Sequence, residues 1–328
     1  KTFEDQWSFK LPTFAGLSAA EMVAAAYRRE IDVFWMVGGN FLETLPDPVA
    51  AAQALGNVRT RIHQDVLLSS MMLLSPEDTV IVLPATTRYE SPGGGTETST
   101  ERRIIFCPEI PGRRIGSSKP EWEVFSEIAA RVRPKLADHI RFTSSQEIRN
   151  QIGKTIPLYA GIERVSKEGE NFQWGGPRLF AEGEFDTPDG KAHFSIVSPK
   201  ERRAPKGMFY VSTRRGKQFN SMVQRATDPL TGASRNDIFI SKEDAQRLGV
   251  EDGQRIRLVS SVGTYVGRVK IDQIKPGNLE VHWPEGNCLL SREQMDFAAR
   301  EPDYNAIVKI EKLVEVMRRS HQLVPSVR

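Results

Sequence analysis

The sequence predicts an α/β domain with a partial, doubly wound parallel sheet, followed by a small closed β-barrel. Two observations predict the sheet: residues 31–37 and 79–83 are apolar runs typical of buried strands, and helical stretches alternate with them. A third observation predicts the barrel, because short apolar segments separated by glycine-containing turns begin at residue 208. We therefore expect an α/β domain over residues 1–115, a connecting mixed segment over 116–204 and the barrel over 205–328.

Composition and charge are those of an ordinary globular protein. The 328 residues are 39% hydrophobic and 27% charged, which suffices to bury the cores of two domains. The net charge of +3 gives no electrostatic reason to expect nucleic acid or a membrane as a partner. No apolar run approaches the roughly 20 residues that span a bilayer. The start at Lys1 lacks a signal peptide, so we expect a cytoplasmic piece of a longer chain.

The cysteines and histidines predict no metal centre within this chain. Cys107 and Cys288 form no C-x-x-C pair, which excludes a thiolate-held iron–sulfur cluster or a structural zinc site here. A disulfide between them stays open, although reduced thiols are the default in a cytoplasmic protein. The five histidines are scattered and show no i, i+4 pairing.

The predicted elements of the first 205 residues follow from capping and apolar patterns. Ser18 and Glu21 have the spacing of a capping box. Pro120 suits the first position of a helix. The expected helices cover residues 18–29, 48–55, 67–74 and 120–132, and the expected strands cover residues 31–37, 58–63 and 79–83. Because the first and third strands are apolar throughout, we expect them to be buried on both faces. A turn at residues 188–190 is expected between short strands.

The barrel region contains the strand candidates and a single internal helix. That helix is expected to begin at Ser241 and to end at Gly249 as C-cap. Turns are expected at residues 252–253 and 276–277. The strand candidates are residues 208–213, 238–241, 255–261, 263–271 and 278–283, followed by a last strand and helix over 305–317.

Two motifs follow predicted strands of the sheet. Gly38, Gly39 and Asn40 come directly after the first strand, where ligands bind in open α/β sheets and glycines allow a phosphate to approach closely. An ordinary strand-to-helix turn explains them equally well or better. The motif His63-Gln64-Asp65 ends the second strand, where a carboxylate can accept hydrogen bonds from a ribose or a guanine. A helix N-cap at Asp65 is the alternative.

A third motif follows the third strand. The chain after this strand is irregular and could pass around a bulky ligand or a neighbouring domain. It contains Leu83-Pro84-Ala85, Glu90 and the glycines at 93–95. A flexible surface loop is an equally good interpretation.

The densest polar cluster lies just after the first barrel strand and has the chemistry to line a pyrophosphate. A solvated charged turn is the alternative, which the interleaved amides make less attractive. This cluster consists of Thr213, Arg214, Arg215, Lys217, Gln218, Phe219 and Asn220. After the last internal strand, Asn287 is placed to bond a heterocycle and Trp283 to cover it, with core packing as the alternative for Trp283. The sequence contains no G-x-S-x-G elbow, no P-loop and no G-x-G-x-x-G.

The order of these motifs resembles the C-terminal half of molybdopterin oxidoreductases, in particular the formate-dehydrogenase-like alpha subunits that bind bis-molybdopterin guanine dinucleotide. The resemblance covers about residues 31–312. It rests on the segments VGGNFLETLPDP, IHQDVLLSSM, VIVLPATTRYE, GGGTETSTERR, TPDGKAHF, RRGKQFNSM, SKEDAQRLGVEDGQ and WPEGN.

The resemblance implies a specific fold and specific contacts. Residues up to about 110 resemble the end of an α/β domain that holds one guanosine, and the region from 208 resembles a double-psi β-barrel that caps two pterins. Gly38, Gly39 and Asn40 would contact the dinucleotide backbone, and Gln64 and Asp65 its guanosine end. The polar cluster after residue 212 would line the pterin and pyrophosphate, with Trp283 and Asn287 nearby.

The family's iron–sulfur cysteines, metal ligand and neighbouring catalytic His and Arg have no counterpart in this sequence. The resemblance therefore implies a molybdenum or tungsten enzyme whose 4Fe-4S cluster and catalytic residues lie in an N-terminal half or a separate subunit, with formate as the expected substrate. Alone, this chain is expected not to turn over substrate.

Two other functions fit parts of the sequence. A non-catalytic docking module would explain a double-psi barrel, but it has no need of the motifs on the preceding sheet. An NAD-dependent enzyme would require a glycine fingerprint after the first strand, and Gly38-Gly39-Asn40 departs from that pattern.

Overall fold

The computed structural model describes residues 2–112, 115–198, 202–216, 225–296 and 299–313. They form two compact units. The first consists of Lys1–Leu17, Ile31–Gly39 and Val58–Pro199, and the second of Ser18–Glu30, Asn40–Asn57 and Lys200–Arg328. In the described ranges, no helix is long and apolar enough to cross a membrane.

The helices are α1 Thr2–Trp7, α2 Ala19–Tyr27, α3 Phe41–Thr44, α4 Pro48–Gly56, α5 Glu121–Val132, α6 Ala137–Ile140, α7 Ser145–Thr155 and α8 Lys242–Leu248. The strands are β1 Val33–Val37, β2 Thr60–Asp65, β3 Thr79–Pro84, β4 Gly95–Thr98, β5 Arg103–Cys107, β6 Asn171–Gln173, β7 Phe209–Arg214, β8 Asp237–Ile240, β9 Arg255–Val259, β10 Thr264–Ile271, β11 Asn278–His282, β12 Met295–Asp296, β13 Glu301–Pro302 and β14 Asn305–Lys312.

The first unit is built on a parallel sheet in the order β1-β2-β3, as the alternating pattern predicts. Its register aligns Met36 with His63 and Val82, so these side chains share one face. Phe34, Met36, Arg61 and His63 on that face are buried. This face is therefore covered over β1 and β2, whereas Val82 of β3 is exposed on it.

Burial of β1 and β3 on both faces was a wrong prediction. Val33 and Val37 at the ends of β1 are exposed, and so are Ile81 and Val82 in β3. The physical reason is that both strands lie at the outside of the sheet. An apolar run is needed for a doubly covered strand, but it does not supply the layer that covers it.

Arg61 ties the chain that follows β2 back onto the sheet. Its guanidinium donates to the carbonyl oxygens of Met71 (2.9 Å) and Leu74 (2.5 Å), and no part of the side chain is exposed. These bonds hold a 3-10 helix at Ser70–Leu73, where the sequence predicts an α-helix over 67–74.

An antiparallel sheet in the order β4-β5-β6 and the helices α5 and α7 complete the first unit. Close packing explains one of the three adjacent glycines, since a Cβ at Gly94 would stand 2.6 Å from the carbonyl oxygen of Cys107. Pro120 is the N-cap of α5 and not its first residue. The turn at 188–190 is present, but no strands flank it among the described residues.

The second unit contains a closed barrel in the order β10-β8-β11-β7-β14-β9. Two of its pairs are parallel, β7 with β11 and β8 with β10, and the other pairs are antiparallel. The apolar side chains that alternate along these strands fill the interior, including Phe209, Ile256 and Val281. The prediction of a double-psi β-barrel after an α/β region is confirmed.

The expected caps are also present in the second unit. Ser18 and Glu21 form the capping box of α2. Ser241 caps α8, which ends at Gly249 with a left-handed φ of 61°. The predicted strand after residue 305 is β14, and the helix predicted after it lies outside the described residues.

Buried His63 makes the stability of the fold depend on pH. Burial, with a smaller effect of Arg61, lowers the pKa of His63 below its ordinary value of 6.5. The unfolded chain therefore binds a proton at a higher pH than the folded chain, and stability is lost as the pH falls through about 6.5. We expect His63→Leu to lose less stability than the native chain between about pH 7.5 and about pH 5.5 in urea unfolding.

Exposed His139 is the matched control for this measurement, because it is a histidine of the same unit that is not buried. The slope of stability against pH should change more in His63→Leu than in His139→Leu. A His63→Leu profile that is parallel to the native one would contradict the expectation.

Candidate functional site

The barrel brings two of the predicted motifs to one place. Strands β7 and β11 are parallel neighbours, with Thr213 opposite Val281 and Arg214 opposite His282. The ladder continues past the strand, since the Trp283 N–H donates to the Arg214 carbonyl at 2.7 Å. Residues 213–215 and 283–287, which are distant in sequence, therefore leave the barrel together at the carboxyl ends of parallel strands.

The two arginines after β7 have different surroundings. Arg214 makes ion pairs with Glu280 (2.9 Å) and with buried Asp228 (3.5 Å), and its guanidinium lies over the Phe239 ring. Its charge is thus balanced within the barrel. Arg215 lies with its guanidinium 5.9 Å from the centre of the Trp283 ring, so the indole positions this cation at the barrel end.

Arg235 organises the 283–287 segment and was missed in the sequence. It forms a two-point ion pair with Glu285, with distances of 2.8 and 2.5 Å. The same guanidinium donates to the carbonyl oxygens of Trp283 (2.6 Å) and Arg215 (3.1 Å). Arg235 precedes β8 and stands 50 residues from its partner, so no local spacing could have indicated this network.

Residues 40–47 pack against the same end of the barrel within the second unit. The side-chain amide of Asn287 donates to the Glu43 carbonyl at 2.7 Å, and the Asn287 carbonyl accepts from the Asp47 N–H. The Thr44 carbonyl accepts from the Trp283 indole at 3.3 Å and from the Tyr304 hydroxyl at 3.2 Å. Trp283 and Asn287 thus hold the segment that follows Asn40, a role that the sequence did not reveal.

A cleft of about 580 Å³ opens beside this network. Its walls carry both charges and amides, and the Oδ1 atom of Asn287 is buried without a hydrogen-bond partner. Burial raises the pKa of the Cys288 thiol, which therefore stays protonated. The lining residues are Leu42, Glu43, Pro48, Arg225, Ala226, Arg235, Pro284, Glu285, Asn287 and Cys288.

The buried histidine under the barrel end is neutral. Burial, together with Arg235 and Arg214, lowers the pKa of His282. Its ring is fully buried and lies 5.8 Å from the ring of Phe239. Positive charge at this end of the barrel therefore comes from the arginines.

The predicted motifs of the sheet lie together in the first unit. Gly38 and Gly39 have φ angles of 66° and 75°, and a Cβ on either would meet open space. The Gly38 N–H donates to the Gln64 carbonyl at 2.8 Å, which places the glycines at the carboxyl end of β2. These left-handed φ angles favour glycine, and because glycine has no side chain the backbone is accessible here.

Gln64 and Asp65 differ in how their side chains are satisfied. Gln64 is fully buried, and neither its side-chain oxygen nor its nitrogen has a hydrogen-bond partner. Asp65 accepts from the Val66 N–H at 2.6 Å through Oδ1, as in a local turn. Asn40 belongs to the second unit, and Lys217, Gln218, Phe219 and Asn220 lie outside the described residues.

Removal of Arg235 should loosen the barrel end. We expect Arg235→Gln to lower the free energy of unfolding by about 1–3 kcal/mol, because Glu285 and two carbonyl groups lose a charged donor. Hydrogen–deuterium exchange at residues 283–288 should rise at the same time. The control is Arg257→Gln, whose exposed ion pair with Glu311 should contribute less than about 1 kcal/mol. Equal effects of the two substitutions would count against the role of Arg235.

Comparison with known proteins finds a matching domain in the barrel region and similar chains over most of the sequence. Residues 208–311 match the "Molydopterin dinucleotide binding domain". Over 95% of its length the chain is 24% identical to the F420-dependent formate dehydrogenase subunit alpha of Methanocaldococcus jannaschii, of which it covers 48%. Over 96% of its length it is 27% identical to the probable oxidoreductase YjgC of Bacillus subtilis, of which it covers 32%.

A solved structure shares the fold across both units. The acetylene hydratase from Pelobacter acetylenicus matches 89% of this chain and 46% of its own, with a TM-score of 0.63 and 16% identity. The chain spans about half the length of the first relative, and less of the second. The barrel is therefore a molybdopterin dinucleotide-binding domain, and over nearly its whole length the chain is similar to a formate dehydrogenase alpha subunit and to a probable oxidoreductase.

Proposed function

We propose that this chain is the C-terminal, cofactor-binding part of an enzyme that uses bis-molybdopterin guanine dinucleotide for two-electron oxidation or reduction, with formate as substrate. The observation that carries the proposal is the parallel register of β7 and β11. It brings residues 213–215 to residues 283–287 inside the matched dinucleotide-binding domain. Two arginines, a side-chain amide and an indole then stand together at one end of the barrel.

The donor set at the barrel end fits a pterin dinucleotide. Arg215 is the described cation after β7 that we assign to the pyrophosphate, and Lys217 follows it in the sequence. Arg214 has a supporting role, because Asp228 and Glu280 already balance its charge. The buried, unpartnered Oδ1 of Asn287 is an acceptor for an N–H of the heterocycle. Thr213 is assigned to the same cofactor, and so are Gln218, Phe219 and Asn220 from their positions in the sequence.

In the first unit, Gly38 and Gly39 fit the dinucleotide backbone, because a Cβ on either glycine would meet open space and a ligand can therefore approach this part of the main chain closely. Asn40 extends this assignment along the chain. Gln64 and Asp65 are assigned to the guanosine end. The two unpartnered polar atoms of Gln64 support this assignment, because a buried amide without partners costs about 1–3 kcal/mol.

The bound cofactor, with molybdenum or tungsten, supplies the redox chemistry. The residues of this chain hold the dinucleotide, balance its phosphate charge and orient its heterocycles. We assign the metal ligand, the catalytic residues and a 4Fe-4S cluster to the part of the enzyme that this chain does not span, in an N-terminal half or a separate subunit. The chain alone is therefore expected to be inactive, and a cytoplasmic location stays a prediction.

Loss of the two assigned cations should empty the site of cofactor. In the assembled enzyme, we expect Arg215→Ala with Lys217→Ala to lower pterin content and acid-released GMP by about tenfold or more, because each charged hydrogen bond contributes about 1.5–3 kcal/mol. Pterin is measured by fluorescence after oxidation and GMP by chromatography, so the test does not depend on turnover.

The charge-matched control is Arg255→Ala with Lys242→Ala, two exposed cations elsewhere on the barrel unit. This control should retain its pterin and GMP. Full cofactor content in the Arg215 and Lys217 variant would overturn the assignment of the barrel end.

A further inference from the structure

The second unit carries another cavity, which the proposed function does not use. It has a volume of about 420 Å³ and lies between α2, residues 45–46 and the chain that follows residue 291. We call this cavity the α2 pocket. Cavities of about 300–1,000 Å³ with mostly apolar walls and a few polar groups are typical of small-molecule sites.

One side of α2 forms an apolar wall of the α2 pocket. The residues of this wall recur at intervals of three and four along the helix and so share one face. They are Ala20, Val23, Ala24 and Tyr27. Ala25, on the opposite side of the helix, is buried. The helix therefore packs into the unit through a different face, and the two small alanine side chains of the wall leave room for a ligand.

Arg292 places a positive charge at the mouth of this pocket. It lines the pocket and is exposed, and its guanidinium lies 4.0 Å from the centre of the Tyr27 ring. Such stacking fixes the plane of the guanidinium and leaves the N–H groups at its edge to bind an anion. Among the residues that the structure describes, no carboxylate forms an ion pair with Arg292. This cation is therefore available to a ligand.

The other charged groups of the α2 pocket favour a ligand with a single negative charge. Arg28 is already engaged, because its guanidinium donates to both carboxylate oxygens of Glu30, at 2.8 and 2.7 Å. Glu293, which follows Arg292 in the chain, also lines the pocket. A second negative charge on the ligand would therefore be repelled by Glu293 and would find no unpaired cation.

We propose that the α2 pocket binds a small monocarboxylate with an apolar body, such as an aromatic acid. The wall from α2 contacts the apolar body, and the guanidinium of Arg292 donates hydrogen bonds to the carboxylate. The inference does not depend on the proposed function, because no residue that lines this pocket is assigned to the cofactor.

The ligand would also contact the segment that the barrel end holds. Residues 45–46 line the pocket. Before them, the Thr44 carbonyl accepts a hydrogen bond from the Trp283 indole. After them, the Asp47 N–H donates to the Asn287 carbonyl. We therefore expect the bound ligand to slow hydrogen–deuterium exchange at residues 43–47.

Fluorine NMR titration of this chain with trans-4-fluorocinnamate tests the proposal, and the neutral amide of this acid is the matched probe. We expect the carboxylate to bind with a Kd of about 1 mM or lower and about tenfold more tightly than the amide, which has no charge for Arg292. Ala24→Phe fills the pocket and should weaken the binding of the carboxylate by about tenfold or more. Ala19→Phe, at an exposed position of the same helix, is the control and should leave the Kd unchanged.

Charge variants test the carboxylate contact separately. Arg292→Gln should remove the preference for the carboxylate over the amide, whereas Arg255→Gln, an exposed cation elsewhere in the second unit, should keep it. Glu293→Gln should strengthen the binding of the carboxylate by about threefold, because it removes a like charge.

Three results would overturn the proposal in this chain: no binding of the carboxylate at about 10 mM, an unchanged preference in Arg292→Gln, or equal effects of the two phenylalanine substitutions. The titration is then repeated on the assembled enzyme. Binding there with a similar Kd supports a ligand site. Binding that is lost on assembly also overturns the proposal, because protein then fills the pocket.

Discussion

The parallel pairing of β7 with β11 is the constraint on which the candidate site depends. Parallel neighbours end on the same side of a sheet, so segments that are about 70 residues apart in sequence leave the barrel side by side. Closure of the barrel fixes this pair, because every strand has a neighbour on both sides and the interior is filled with apolar side chains. The core thereby determines where the polar side chains stand.

Charge balance then decides what each polar side chain can do. Arg214 and Arg235 are matched by carboxylates, and Arg235 also donates to two carbonyl groups, whereas the guanidinium of Arg215 lies near the Trp283 indole. Bonds from Asn287 and Trp283 hold residues 43–47 against the barrel end. The site is therefore built from a rigid inner set of ion pairs, with the proposed ligand contacts arranged around it.

In the sheet of the first unit, too, some polar side chains have hydrogen-bond partners within the chain and others have none. The guanidinium of Arg61 donates hydrogen bonds to the chain after β2, while the side-chain amide of Gln64 is buried without hydrogen-bond partners. Val33 and Val37 of β1 are exposed. Both features fit a chain that spans about half the length of a relative such as the Methanocaldococcus jannaschii subunit.

The sequence by itself determined the local elements: the capping box at Ser18, the end of α8 at Gly249 and the alternating barrel strands, because caps and periodicity are short-range properties. Only the tertiary structure decided that β1 and β3 are outer strands, that Arg214 is engaged by two carboxylates and that Arg235 reaches Glu285. Burial and ion pairing depend on which distant segments meet, and residue spacing along the chain does not encode that.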